Sequence, residues 1–128
     1  MILTIPASAG EVLDKLTILE IKRTRIADPA KLTNIAREHA ALAAAWAAAL
    51  PDPEAVADLA EALRAVNAAL WEVEDALREH ERRGDFGPDF VALARRVYRE
   101  NDRRAALKRE VNQRLGSTLS EEKSYAAY

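Results

Sequence analysis

The chain has 128 residues, a formal charge of −2 and no cysteine, and it is rich in alanine. This length suits one domain, and the lack of cysteine excludes a disulfide scaffold and a thiolate metal site. Only 4 glycines and 5 prolines accompany the many Ala, Leu, Arg and Glu residues, which argues against a β-sandwich or barrel. We therefore expect a helical protein, and the near balance of charge gives no general case for nucleic acid.

The sequence shows no targeting or membrane segment. Residues 1–5 lack the basic and apolar regions of a signal peptide. The most apolar window, AALAAAWAAAL at 40–50, is shorter than the ~20 residues that cross a bilayer. We expect a cytoplasmic protein without a membrane interaction.

Start signals divide the first half of the chain. Residues 2–6 favour a short extended segment, and Ser8 with Glu11 forms a capping box that starts a first helix ending near Ala27. Asp28 followed by Pro29 then starts an alanine-rich second helix over 29–49. The first helix carries apolar residues on more than one face, so we expect it to be buried on two sides.

The second half predicts a long antiparallel hairpin of two helices, at about 53–83 and 88–115, because the connection around Gly84 is short. The third helix has a strict coiled-coil seam of three heptads: Val56, Leu59, Leu63, Val66, Leu70, Val73 and Leu77. Gly116 ends the fourth helix. The predicted fold is all-α: one four-helix bundle-like domain over 1–128, with the hairpin packed by the two N-terminal helices.

Two features of this fold stay open. The tail, 117–128, is either a solvated terminus or docked on the bundle. The seam is satisfied either within the chain or across a homodimer, and we favour the homodimer because a long hairpin exposes more apolar surface than two shorter helices cover.

Charge separates along the hairpin. Residues 52–81 contain nine acidic residues and two arginines, whereas 88–115 contain eight Lys or Arg and four acidic residues. Complementary charged faces on the two neighbouring helices are the ordinary explanation of this pattern.

Polar residues interrupt the apolar seam of the fourth helix. The seam from Phe90 continues through Asn101, Arg104 and Lys108 before it becomes apolar again at Val111. Buried cations are costly, so three explanations apply. The long stems snorkel to water, or the cations pair with Glu20, Glu74 or Asp75, or they line a pocket for an anionic phosphate or carboxylate group.

Acidic pairs raise a metal alternative. Glu11 with Asp14, and Glu72 with Asp75, place two carboxylates on one helical face, as Mg²⁺-dependent all-α pyrophosphohydrolases do. Capping already explains Glu11, so we predict no metal and no cofactor.

Four stretches resemble a family of small bacterial helical proteins known as a domain of unknown function. They are GEVLDKLTILEIK at 10–22, VNAALWEVEDALR at 66–78, FVALARRVYRENDRRAALKREVN at 90–112 and GSTLSEEKSY at 116–125. The resemblance implies a cytoplasmic helical protein associated with surface-polysaccharide glycosyltransferases, hence a role in glycan assembly. A looser similarity links Lys15, Lys22 and Arg25 to helical chorismate mutases, which bind a dicarboxylate between helices.

The polar residues of the fourth helix and the tail are the candidate ligand-binding site, and no catalytic residue is predicted. They are Asn101, Asp102, Arg104, Lys108, Asn112, Glu121, Glu122, Lys123 and Tyr125. We predict a non-catalytic binding or adaptor module for an anionic small molecule or a glycosyltransferase-type partner. The first alternative is an enzyme acting on an anionic metabolite, with Glu122 or Asp75 as general base. The second is nucleic-acid binding through residues 95–114, where eight cations face three acids.

Overall fold

The computed structural model describes residues 1–50 and 52–128, and the regular secondary structure of these residues is helical. The helices are α1 (Ala9–Arg25), α2 (Pro29–Ala49), α3 (Ala57–Arg83) and α4 (Pro88–Leu115), with a 3-10 turn at Pro53–Val56. The predicted all-α class is confirmed. No strand occurs within the described ranges, and residues 2–6, predicted to be extended, have no regular secondary structure.

Side-chain caps fix the helix starts. The Ser8 hydroxyl accepts a hydrogen bond from the Glu11 amide at 3.2 Å, and the Asp28 carboxylate accepts one from the Ala30 amide at 3.1 Å. Helix α1 ends at Arg25, before the predicted Ala27, because the backbone of Ile26 is already extended. The predicted break at 50–53 includes Pro51, which lies outside the described residues.

The start of α3 differs from its predicted position at residue 53. Residues 53–56 form the 3-10 turn instead, and α3 begins at Ala57 because the backbone of Val56, with φ −131° and ψ 20°, leaves the helical region. Val56 is nevertheless buried in the core. The predicted ends hold at Gly84 and Gly116, both with φ 65°, a conformation that favours glycine.

Helices α3 and α4 form the expected antiparallel hairpin. Near one end Arg114 of α4 pairs with Asp58 of α3 at 2.6 Å, and near the other the rings of His80 and Phe90 lie 6.2 Å apart. Of the seven seam residues, Val56, Leu59, Leu63, Val66 and Val73 are buried within this single chain. Leu70 and Leu77 are only partly buried.

Helix α1 occupies the centre of the bundle. It contacts α2, α3 and α4, which agrees with its apolar residues on several faces. Helix α2 packs chiefly on α1 rather than along the hairpin, although Trp46 and Leu50 reach the core around Leu13 and Leu63. Within the described residues, none of the helices combines the length and the apolar character needed to span a membrane.

Candidate functional site

Two polar stripes face each other where α1 meets α4. On α1, Gly10, Asp14 and Thr17 lie on one face at helical spacing, and all three are buried. On α4, the opposing stripe contains Asn101, Arg104, Lys108 and Asn112. The site is therefore built between two rigid helices, which fixes its side chains more precisely than a loop would.

Asp14 is the most deeply buried charged group of this site. Its side chain is 0% exposed, and Arg104 of α4, 29% exposed, pairs with it. Arg104 Nε lies 2.9 Å from Oδ1 of Asp14, while Nη2 binds Oδ2 in a bidentate arrangement. The hydrogen bonds to Asp14 outweigh partial burial and raise the pKa of Arg104. These bonds use Nε and Nη2, so they leave Nη1 of the guanidinium for another partner.

Asn67 of α3 completes the surroundings of Asp14. Its amide nitrogen donates to Asp14 Oδ1 at 2.8 Å and to the Thr17 hydroxyl at 2.9 Å. The Thr17 hydroxyl donates in turn to the main-chain carbonyl of Asp14 at 2.7 Å. Each described buried polar side-chain atom has a partner, so this network meets the requirement for polar groups inside a core.

Lys108 lies one turn further along α4 and holds two carboxylates. Its Nζ is 2.6 Å from Glu11 of α1 and 3.0 Å from Glu121 of the tail, and the Lys108 side chain is only 12% exposed. Burial acts to lower the pKa of Lys108, but the bonds to Glu11 and Glu121 outweigh it, and the net shift is upward. The same bond from Lys108 lowers the pKa of Glu121.

Asn112 has a structural position at the crossing of the two helices. Its side-chain oxygen accepts a hydrogen bond from the Gly10 amide at 2.7 Å. A Cβ on residue 10 would overlap the main-chain carbonyl of Lys108, so glycine is required for this close approach. This geometry gives Asn112 a role in joining α1 to α4.

The tail lies along α4 without regular secondary structure. Besides the contact of Glu121 with Lys108, the Tyr128 hydroxyl donates to Asp102 at 2.6 Å. The rings of Tyr128 and Tyr98 meet edge to face at 5.1 Å. The bond to Asp102 raises the pKa of Tyr128.

Three adjoining clefts surround Asn101. A polar cleft of about 320 Å³ lies between α1, α4 and the tail and is lined by Glu11, Asn101, Arg104, Ala105, Lys108, Glu121 and Lys123. An apolar cleft of about 560 Å³ shares Asn101 and Arg104 with it and extends between α1, α3 and α4 to Trp71. A tail cleft of about 890 Å³ shares Asn101 and Lys123 and reaches Tyr125 and Tyr128.

The predicted site residues therefore fall into three groups. Asn101, Arg104, Lys108, Glu121 and Lys123 meet in the polar cleft. Asp102 and Tyr125 lie in the tail cleft. The remaining two, Asn112 and Glu122, do not line these three clefts; Asn112 is buried and Glu122 is exposed.

The partners expected for the α4 cations were wrong. Glu20 pairs instead with Arg64 at 2.6 Å, and Glu74 pairs with Arg78 on its own helix. The snorkelling alternative also fails for Lys108, because Glu11 holds its amine at the surface of α1 rather than in bulk water. The acids that compensate this stripe are Asp14, Glu11 and Glu121.

The ion pairs of the hairpin follow the expected complementary charged faces of its two helices only in part. Among the described ion pairs, Arg114 with Asp58 joins α3 to α4, whereas Arg104 and Lys108 turn to α1 and the tail. Arg25 of α1 pairs with Glu72 of α3. The central helix α1, with charges of both signs, therefore mediates between the acidic and the basic helix.

The described residues give little support to a metal site or to a site like that of the chorismate mutases. Residues 1–50 and 52–128 bring together no group of three or more metal-binding side chains, and Glu11 and Asp14 instead hold Lys108 and Arg104. Lys15, Lys22 and Arg25 line none of the three clefts. Of the two candidate bases, Asp75 lines the apolar cleft.

Sequence reasoning missed Asp14, Asn67 and Tyr128 as partners of the stripe. For Asp14 a signal existed: Gly10, Asp14 and Thr17 recur at spacings of four and three along α1, next to the apolar residues Leu13 and Leu16. A small and polar stripe of this kind predicts a close polar contact with another helix.

The fold defines a small all-helical protein whose first and last helices cross through partly buried ion pairs. The family comparison is more specific: residues 3–128 match the model described as a family of unknown function (DUF6165), and the chain belongs to that family. No curated protein and no solved structure matches the chain.

Proposed function

We propose that the chain is a non-catalytic binding module for a small anionic molecule, with the polar cleft as its site. The observation that carries the proposal is the contact of Glu121 with Lys108 at 3.0 Å. A carboxylate from an irregular segment already sits on this cation, next to Arg104 and Lys123. A free phosphate or carboxylate presents the same chemistry to the same groups.

The two carboxylates on Lys108 differ in how firmly they are held. Glu11 lies on α1, whereas Glu121 lies on the tail and its side chain is 51% exposed. A ligand with more than one negative charge would compete with Glu121, since a single carboxylate carries only one. Displacement of Glu121 would leave Lys108, Lys123 and Nη1 of Arg104 to hold the anion.

The matched test uses inorganic phosphate, pyrophosphate and citrate in titration calorimetry. We expect Lys108→Met, which keeps the length of the stem, to weaken binding about tenfold or more, because a hydrogen bond to a charged group contributes ~1.5–3 kcal/mol. Arg103→Met, which removes an exposed cation of the same helix, is the control. Equal affinities of the wild type and Lys108→Met, or no binding of any anion, would overturn the proposal.

The proposal has two further parts, a protein partner and a cellular location. The family resemblance supports a protein partner of the glycosyltransferase type, and co-purification with such a partner tests it. A cytoplasmic location fits a site for small charged metabolites, and fractionation of cells with an antibody against the chain tests it.

A further inference from the structure

We infer that the ligand of this module is a nucleoside phosphate, with its phosphate in the polar cleft and its base in the apolar cleft against Trp71. This inference rests on the proposed function and deepens it. Its first support is continuity, because Asn101 and Arg104 line both clefts. A ligand that places its anion on Lys108 and Lys123 can extend past Arg104 without leaving the protein surface.

The apolar cleft has the size and lining of a small-molecule site. Its volume of about 560 Å³ falls within the usual range for ligand pockets, ~300–1,000 Å³. Ile18, Ile21, Leu70 and Trp71 supply apolar surface. Leu70 belongs to the heptad seam but is only partly buried, so the seam opens here instead of closing on a neighbouring helix.

Polar groups in the same cleft favour a ligand whose non-phosphate part carries hydrogen-bond donors. The bonds of Asn67 to Asp14 and Thr17 use its amide nitrogen, so its carbonyl oxygen remains an acceptor in the cleft wall. Asn101 adds an amide and Asp75 a carboxylate, and the carboxylate of Glu74 in the same cleft is paired with Arg78. A nucleobase offers a flat face to Trp71 and N–H groups at its edges, whereas a hydrocarbon ring leaves these acceptors unused.

The walls of this cleft are better fixed than those of the tail cleft. They are formed by α1, α3 and α4, which pack on one another, whereas Tyr125 and Tyr128 of the tail cleft belong to the irregular segment. We therefore assign the base to Trp71 and not to the tyrosines. Tyr125→Ala then provides a control variant from the competing cleft.

The test measures the affinity of AMP, UMP, phenyl phosphate and inorganic phosphate by calorimetry. We expect both nucleotides to bind about tenfold or more tightly than inorganic phosphate, because stacking of a base on an aromatic side chain contributes on that scale. Phenyl phosphate should fall between them. Trp71→Leu should remove the advantage of the nucleotides and leave the affinity for inorganic phosphate unchanged, whereas Tyr125→Ala should change neither.

Fluorescence gives a second readout that does not depend on affinity alone. In a Trp46→Phe background Trp71 is the remaining tryptophan, and AMP should quench its emission while inorganic phosphate should not.

The outcomes separate the two proposals. Inorganic phosphate that binds as tightly as both nucleotides, or phenyl phosphate that equals them, would overturn the nucleoside assignment and leave the anion site standing. Loss of nucleotide affinity in Tyr125→Ala but not in Trp71→Leu would also overturn it. Failure of every anion to bind would overturn the anion site and this inference with it.

Discussion

At the scale of single residues, the charge of Asp14 is tolerated inside the bundle because Arg104 and Asn67 surround it. A carboxylate without exposure loses its hydration, and the attraction of one cation together with good hydrogen bonds compensates that loss. Arg104 supplies both the positive charge and the hydrogen bonds, since its planar guanidinium group binds the two oxygens of Asp14. Removal of Arg104 alone should therefore lower the free energy of unfolding by more than the contribution of an exposed ion pair.

Arg104→Ala should lower the free energy of unfolding by about 3–5 kcal/mol, because it leaves a buried carboxylate without its cation. Urea denaturation followed by circular dichroism measures the change. Arg103→Ala, on the exposed face of the same helix, should stay within about 0.5 kcal/mol of the wild type. Similar losses in both variants would contradict the assignment of a buried pair.

At the scale of elements, the crossing of α1 and α4 depends on Gly10. Gly10→Ala should lower the free energy of unfolding by about 1–3 kcal/mol, since the added methyl group meets a main-chain carbonyl that cannot move alone. Gly87→Ala is the control, because its Cβ would meet only the exposed side chain of Asp85, at 3.3 Å. An unchanged denaturation midpoint in Gly10→Ala would show that the helices are less closely packed than described.

The docking of the tail on α4 should depend on pH at both ends of the scale. The pKa of Glu121 is lowered from 4.5 by its bond with Lys108, so the contribution of Glu121 is present above 4.5 and is lost as the pH falls through the lowered value. The pKa of Lys108 is raised from 10.5, so its contribution is present below 10.5 and is lost as the pH rises through the raised value.

We therefore expect backbone ¹⁵N relaxation to report an ordered tail at neutral pH and a mobile one at an acidic pH below the lowered pKa of Glu121, where its carboxylate is protonated. Glu121→Gln should make the segment around residue 121 mobile at neutral pH as well. A tail that is equally ordered at both pH values in the wild type would contradict the role of this ion pair.

The helices could be predicted from the sequence largely because their ends carry local signals. Ser8, Asp28, Gly84 and Gly116 act within a few residues of their own positions, so a single sequence contains the information. The start of α3 was missed by four residues because a 3-10 turn and an α-helix share the same proline and acidic start signals. The heptad spacing of the seam residues does not distinguish the 3-10 turn at 53–56 from the first turn of an α-helix.

The candidate site could be predicted only in part, since periodicity describes each helix separately. The stripe of Asn101, Arg104 and Lys108 was visible because it interrupts an apolar seam. Its partner Asp14 was not found, because pairing α1 with α4 requires knowing which helices face each other across about ninety intervening residues. For the same reason the expected partners were Glu20 on α1 and two acids on α3, Glu74 and Asp75.

At the scale of the whole molecule, the basic stretch 95–114 is partly neutralised by carboxylates of the protein itself. Arg104, Lys108 and Arg114 each hold a carboxylate of another segment, and the chain as a whole carries −2. We expect no shift of double-stranded DNA or single-stranded RNA in a gel assay at about 0.15 M salt, since such binding depends on cations available to phosphates. A shift that weakens steeply as salt is added would instead favour nucleic-acid binding.

The homodimer stays a prediction, although the heptad seam gives it little support. Most of the heptad seam is buried within one chain, so a dimer would need a different surface. Light scattering at high micromolar concentration should give twice the mass of 14.1 kDa if a dimer forms.

The bond between Gly10 and Asn112 also constrains the order of folding. It joins residues 102 positions apart, and the bond from the Ala9 amide to Ser117 spans 108. The contacts of the central helix with α4 and Ser117 therefore close the longest loops of the fold, whereas its contacts with Asn67 of α3 span about fifty residues and the α3–α4 hairpin closes over a short connection. We expect the α3–α4 hairpin to form early in refolding and the crossing of α1 with α4 to form late.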